Sequence, residues 1–452
     1  MTLSEILARS VADPPEFTEK AVYYAKRAII DTFAAMIVGT TGQTLKLILP
    51  DYQKGGNCSL LGSGVKLSPR DAAFLNGISG HDYELDDTGI SGQGHPSVVV
   101  LPAVLAQAEE QDADGLTLIK AFLIAQEVEN RIGRIIAWEC HEKGWHTSGL
   151  EGALGASAGV SYLLGLDSKK VQNAIGIAAS FVSGLRENFG TMTKCVHIGK
   201  TNEDGLRAAY LAKAGIDSSP TALEGKEGYI FEYAGLRDDT GKFTVIVENF
   251  GKDWDICEVG FDIKRYPSCS STHRPMDSIT ELIDENSIKP EDIERIDVSM
   301  GLPAMRDLVT PDPKNAQEAK FSVGFLTGLY LHGIPLTPFS FTEENIFRPE
   351  IQNIIKRTFM HINEEYNDVP DDQGLGPADV RIVLKDGREF FRKRVFAVGM
   401  MADPMSDEDL RKKFMTYAGI VLGTERAAAL YDALSDLENQ PSVRRITEMA
   451  RP

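Results

Sequence analysis

The sequence predicts a mainly α protein in two parts: a large all-helical domain from residues 1–257 and 399–452, and a smaller α+β domain from residues 258–398. Three observations support this. At 452 residues the chain exceeds the size at which a single hydrophobic core stops growing. Its first 250 residues carry apolar side chains on a helical period almost throughout. Near residue 258 the pattern changes to β-branched, alternating runs.

Taken in order, TEKAVYYAKRAIIDTFAAMIVG reads as a buried helix over 18–39, with Thr18 as its N-cap and Gly39 as its stop. Ala- and Leu-rich helical patterns follow at 69–79, 96–110, 114–136, 148–164, 168–181 and 202–215, separated by turns containing Gly or Asp. The runs VGFDIKRYP, IERIDVSM and DVRIVLKDGREFFRKRVF read as strands, and Asp386-Gly387 as a hairpin turn. Helices are expected between them at 275–286 and 315–332. From Ser406 the chain returns to helix, which makes the helical domain discontinuous.

Composition excludes several classes of function. A formal charge of −19, with no Lys/Arg-rich stripe to offset it, repels nucleic acid and anionic lipid. No run approaches the ~20 apolar residues needed to span a bilayer, and MTLSEILARSVADPPEF lacks the basic start and apolar run of a signal peptide. Five isolated cysteines, without a CxxC pair, fit a reducing cytoplasm better than a disulfide framework or zinc knuckle. An anionic substrate would require a local cationic pocket.

Three motifs mislead. Gly155, Ser157 and Gly159 match GxSxG, but no strand precedes them, so close helix packing accounts for the small residues. His141 and His146 flank Glu142 as in a zincin, yet five positions apart rather than four. Gly199-Lys200-Thr201 lacks the first glycine of a phosphate loop. No spacing implies a metal or an organic cofactor, and activity is expected to be independent of both.

The informative stretch is GHDYELDDTGISGQGHPSVVVLPAVLA, where a histidine and the carboxylates Asp82, Glu84, Asp86 and Asp87 precede His95-Pro96-Ser97. Crowded carboxylates shift one another's pKa, which suits acid–base chemistry but also occurs in metal sites and solvated loops. This block resembles the H-x-x-D-[FY]-D-D-T loop and HPS helix of the MmgE/PrpD family. GWHTSGLEGALGASAGVSYLLGLD, GTMTKCVHIGKTNEDGLRAAYLAKAGI, KEGYIFEYAG, KRYPSCSSTHRPMDSI and DPMSDEDLRKKF resemble its later blocks, in order along nearly the whole chain.

That family comprises 2-methylcitrate dehydratases, cis-aconitate decarboxylases and iminodisuccinate epimerases. The resemblance implies a helical domain with an α+β lid, a homodimer, an active site between the domains, and no cofactor. By position, it places His146, His95, Glu84 and Lys194 in catalysis, and Thr88, Lys264, Cys269 and His273 at the substrate or the lid. Dehydration of a 2-methylcitrate-like hydroxy acid is the expected reaction: a histidine moves the proton and the lysines hold carboxylates. Decarboxylation and epimerisation reuse the same proton transfer, and a silent helical scaffold is the non-enzymatic alternative. Departures from the family pattern bear on the substrate. Glu84 stands where the family loop begins with Asp, Ser270 replaces an arginine of the methylcitrate branch, and Phe325 falls where relatives carry tyrosine. One further residue separates the DDT triplet from His95.

Overall fold

Two clusters of buried side chains organise the chain. One runs from Leu3 to Ile263 and resumes from Met405 to Ala450. The other lies between Tyr266 and Leu384. The computed structural model describes residues 1–238, 240–308, 310–367 and 376–452. Residues 309 and 368–375 of the expected α+β segment lie outside that description.

The fold is mainly helical. The first cluster is built on Glu19–Gly39, Pro69–Asp82, Gly115–Glu142, Thr147–Leu163 and Thr193–Lys213. Thr18 caps the first of these, accepting a hydrogen bond from the Ala21 amide, a contribution of ~1 kcal/mol. Gly39 ends it for a reason other than a turn: a Cβ there would sit 1.8 Å from the Ser79 carbonyl oxygen, so glycine lets this helix press against Pro69–Asp82. The GxSxG segment lies inside Thr147–Leu163, where Cβ atoms at Gly155 and Gly159 would fall 2.4 and 2.7 Å from backbone oxygens of Gly115–Glu142. Small residues serve helix approach there. No single described helix is long and apolar enough to cross a membrane. Glu19–Gly39 with the bent segment after it passes by length and composition, but most of that helix is buried in the core.

In the second cluster a four-stranded sheet runs in the order Thr358–Ile362, Ile293–Met300, Ala378–Leu384, Glu389–Arg394, with the first pair parallel and the others antiparallel. His273–Asn286, Val323–Leu331 and Pro349–Arg357 contribute buried side chains to the same cluster. The turn at Gly387, with φ of +89°, joins the last two strands as expected.

Several sequence expectations need correction. VGFDIKRYP forms no strand; its ladder contact is a single bridge between Asp262 and Thr88, and Gly260 turns the backbone to φ +83°. Its apolar residues reflect burial on both sides, not a pleated surface. The helix expected from 96 begins at Leu101, and that expected from 202 begins at Thr193. The 315–332 pattern breaks into Ala316–Ala319 and Val323–Leu331 because the Ser322 hydroxyl caps the Phe325 amide. The parallel strand Thr358–Ile362 and the small pair Cys58–Ser59 with Lys66–Leu67 were not anticipated.

Candidate active site

The carboxylate-rich loop is not solvated: Asp82, Glu84, Asp86 and Asp87 are all at most 3% exposed. It leaves the C-terminal end of Pro69–Asp82 with Glu84 in a left-handed conformation, φ +53°. A non-glycine residue there is strained by about 1–2 kcal/mol, and the strain is held by the ion pairs of its side chain. Glu84 Oε1 pairs with Lys194 and Oε2 lies 3.2 Å from Lys264 Nζ, which also donates to the Glu84 carbonyl. Burial alone would raise the Glu84 pKa, but Lys194, His81 and Lys264 outweigh it and hold the carboxyl well below its usual range.

Neighbouring carboxyls on this loop have opposite fates. Asp86 Oδ2 lies 2.9 Å from His81 Nδ1 and 3.0 Å from His95 Nδ1. Burial opposes its charge, yet the two imidazoles keep its pKa well below normal. Asp87 accepts from the Ser97 amide and hydroxyl, and burial pushes its pKa well above normal despite those bonds. Asp86 thus acts as a buried anion orienting two histidines, while Asp87 anchors the turn before Leu101–Gln111.

His146 is the N-cap residue of Thr147–Leu163. Its Nδ1 is 3.1 Å from His197 Nδ1, and its ring lies 6.2 Å from His81 and 6.5 Å from His95, centroid to centroid. Burial lowers the pKa of His95 to about 4 and that of His146 well below 6.5, with nearby Lys194 adding to the effect on His146. His197 is likewise lowered to about 4, mainly by burial. The empty cleft therefore presents neutral imidazoles.

A cleft is lined by Glu84, Thr88, His95, His146, Lys194 and Cys269 among others. Glu84, His95, His146 and Lys194 come from the first cluster's segments, while Cys269, Asp307 and Phe321 come from the second's, so the cleft lies between the two. Lys194 Nζ sits 4.7 Å above the Phe189 ring and 5.4 Å above that of Phe321, fixed by charge–quadrupole attraction as well as by Glu84. Burial raises the Cys269 thiol to about 12, so it is protonated and no nucleophile.

Not every expected site residue reaches the cleft. Lys264 and His273 line a smaller neighbouring cavity with Thr88 and Ser270, and Lys264 acts through Glu84. His273 packs 5.2 Å from the Tyr266 ring, and burial lowers its pKa well below normal. Phe325 is fully buried against Phe341, 5.5 Å between centroids, and is not among the cleft's lining residues. Its departure from tyrosine therefore concerns the second core.

Sequence reasoning missed His81, the role of Asp86, His197 and Lys320. His197 stands three residues after Lys194 on one helix, a spacing that puts both on one face. Lys320 donates to the Asp82 carbonyl and, at 2.6 Å, to Gln317. One ring nitrogen from each of His81, His95 and His146 lies within 4.8 Å of the others, the one such group of possible metal ligands among the described residues. No linear spacing announces it, because the three residues come from three separate segments.

Comparison with known proteins adds two kinds of finding. The model of the MmgE/PrpD N-terminal domain matches residues 6–239 and that of the C-terminal domain matches residues 266–439. The chain is similar to a cis-aconitate decarboxylase of Homo sapiens, 30% identical over 93% of this chain and 88% of that protein. It is also similar to the Mus musculus protein of that name, 27% identical over 93% and 87%. A third relative with that name, from Aspergillus terreus, is 26% identical over 96% and 92% of the two chains.

Proposed function

Because the chain belongs to the MmgE/PrpD family, we propose that it is a lyase that removes CO2 from an unsaturated tricarboxylate of the cis-aconitate type. Sequence alone ranks dehydration of a 2-methylcitrate-like acid first; relatives named cis-aconitate decarboxylase along almost the full length move decarboxylation ahead. The observation that carries the reading is Lys194, paired with Glu84, beside the imidazoles of His95 and His146 in one cleft, with Lys264 behind Glu84. Lys194 lines the cleft, a cation placed to meet an anion in a chain of net charge −19.

In this reaction the carbon–carboxylate bond of the CH2–COO⁻ arm breaks and its electron pair forms a new double bond to the central carbon. The old double bond shifts its pair to the vinylic CH, which takes up one proton. The trianion plus one proton gives a methylene dicarboxylate dianion and CO2. His146 or His95 delivers that proton. Both are neutral in the empty cleft, and arriving carboxylates raise their proton affinity, so the proton enters with the substrate. Lys194 binds a carboxylate directly and stabilises negative charge spreading onto it as the bond breaks. Lys264 and Asp86 position Glu84 and the histidines.

The reading carries three architectural proposals. Residues 258–398 serve as a lid on a helical domain of residues 1–257 and 399–452; two copies of the chain associate through the helical part; and turnover needs no metal or cofactor. Light scattering at micromolar concentration tests the dimer, and dialysis against a strong chelator tests metal independence. The deciding experiment is NMR in deuterated buffer with cis-aconitate, 2-methylcitrate, citrate and iminodisuccinate. The expected result is CO2 and a singly deuterated methylene dicarboxylate from cis-aconitate. Water loss from 2-methylcitrate with no reaction of cis-aconitate would overturn it in favour of dehydration, and silence on all four would favour a scaffold.

A further inference from the structure

We propose that His81, His95 and His146 form a binding site for one divalent transition-metal ion, Zn²⁺ above all, and that its occupation switches the cleft off. The three residues are at most 7% exposed and offer ring nitrogens within 4.8 Å of one another. A tetrahedral zinc site with bonds of about 2.0–2.1 Å needs ligand nitrogens roughly 3.3 Å apart, a closure within reach of rotations about χ1 and χ2.

Three independent features point to a ligand. First, the Nδ1 atoms of His81 and His95 are both held by Asp86, at 2.9 and 3.0 Å, which leaves Nε2 on each ring to bind. A carboxylate behind a histidine is the usual outer support of a zinc ligand, fixing its tautomer and strengthening its donor atom. Second, His81 Nε2 is fully buried without a hydrogen-bond partner; its nearest charged neighbour, Glu84 Oε1, is 3.4 Å away. A buried polar atom without a partner is costly, and a metal bond would satisfy it. Third, the local charge can accept a cation. Glu84 and Asp86, which lie against these imidazoles, balance Lys194 and Lys264, so an added cation does not meet a net positive cluster.

Two of the three histidines, His95 and His146, line the cleft, so an exchangeable water could complete the site, as where three histidines bind zinc. The binding half of this inference is independent of the proposed reaction. The switching half rests on it, because a metal on these nitrogens takes the lone pairs that a proton shuttle needs.

Cobalt is the probe. Titration of the metal-free protein with Co²⁺ should produce the intense visible bands of four-coordinate cobalt, saturating at one ion per chain and abolished by Zn²⁺. His81→Asn, His95→Asn and His146→Asn should each remove the bands at stoichiometric cobalt. Asp86→Asn should keep the stoichiometry while weakening Zn²⁺ about 10–100-fold. His197→Asn should retain the bands, and circular dichroism checks that each variant is folded. Absence of bands in the folded wild type overturns the site, as does their persistence in all three histidine variants. A thiolate charge-transfer band lost in Cys269→Ser would assign the metal to the cysteine and equally refute it. Zn²⁺ bound at one per chain without slowing decarboxylation would overturn the switch alone. An inactive protein with the cobalt spectrum would instead refute the proposed reaction and leave the site standing.

Discussion

Replacing Glu151 with Gln should flatten the pH dependence of stability above neutrality. Glu151 lies inside Thr147–Leu163, fully buried, and neither carboxyl oxygen has a hydrogen-bond partner. Burial raises its pKa well above the ordinary value, and it in turn helps to raise that of Glu129. In the unfolded chain Glu151 ionises near its reference value of about 4.3. A group raised in the folded state contributes stability fully below the unfolded pKa and loses it as pH rises toward the folded one. The loss is ~1.4 kcal/mol per pH unit for one proton. As pH rises above the unfolded value, wild type should therefore lose stability relative to the Gln variant, with a slope of up to ~1.4 kcal/mol per pH unit. Urea unfolding at a series of pH values measures this, done in a Glu129→Gln background so that the slope belongs to Glu151. A difference that stays constant between pH 5 and 8 would show that Glu151 titrates normally and refute the reasoning. A functional readout is available too: a Cβ at Gly92 would meet Glu151 Oε2 at 2.4 Å, so the loop leading to His95 rests on this carboxyl.

Further predictions concern the cleft and the core. His146→Gln should lower kcat by something like the 10²–10⁴-fold of a lost proton-transfer group, with circular dichroism unchanged; full activity would remove His146 from the mechanism. Lys194→Met should lower kcat/KM while Glu84 stays paired with Lys264 at 3.2 Å, and unchanged kinetics would exclude it as a carboxylate partner. The His95 ring should titrate near pH 4 in the empty protein by NMR and at higher pH once citrate is bound, because burial depresses it and an anion restores it; titration near 6.5 without ligand would contradict this. Gly39→Ala should destabilise by at least the ~1–3 kcal/mol of overpacking, read by thermal unfolding, since the added carbon meets backbone that cannot rotate away.

The helix after Thr18 was legible because an apolar stripe met a capping residue and both signals are local, whereas Leu3–Ala12, capped in the same way by Thr2, was not read. VGFDIKRYP failed for the opposite reason: its alternation came from being covered on both sides, a property of the surroundings. The family blocks led to the residues of the cleft, but not to their grouping. Glu84, Lys194 and Lys264 meet across sequence separations of 110 and 180 residues, which no period or spacing encodes. His81 was visible as the first residue of its motif, yet its partnership with Asp86 depends on how the chain turns at the strained Glu84.

The support of that turn reaches further along the chain. Lys413, on the late helix Asp407–Leu422, donates to the Leu85 carbonyl at 2.9 Å and pairs with the buried Asp31 at 2.6 Å. The loop between Glu84 and Asp86 is thus pinned by a side chain made 328 positions after it. At synthesis rates of about 5–20 residues per second, that interval is roughly 15–65 s. From Lys194 onward within that interval, a nascent chain holds His81, His95, His146 and Lys194 but not the peg that locks the loop. The loop is locked only once that late helix exists, so a product truncated before Lys413 would lack the peg while carrying almost every residue that lines the cleft.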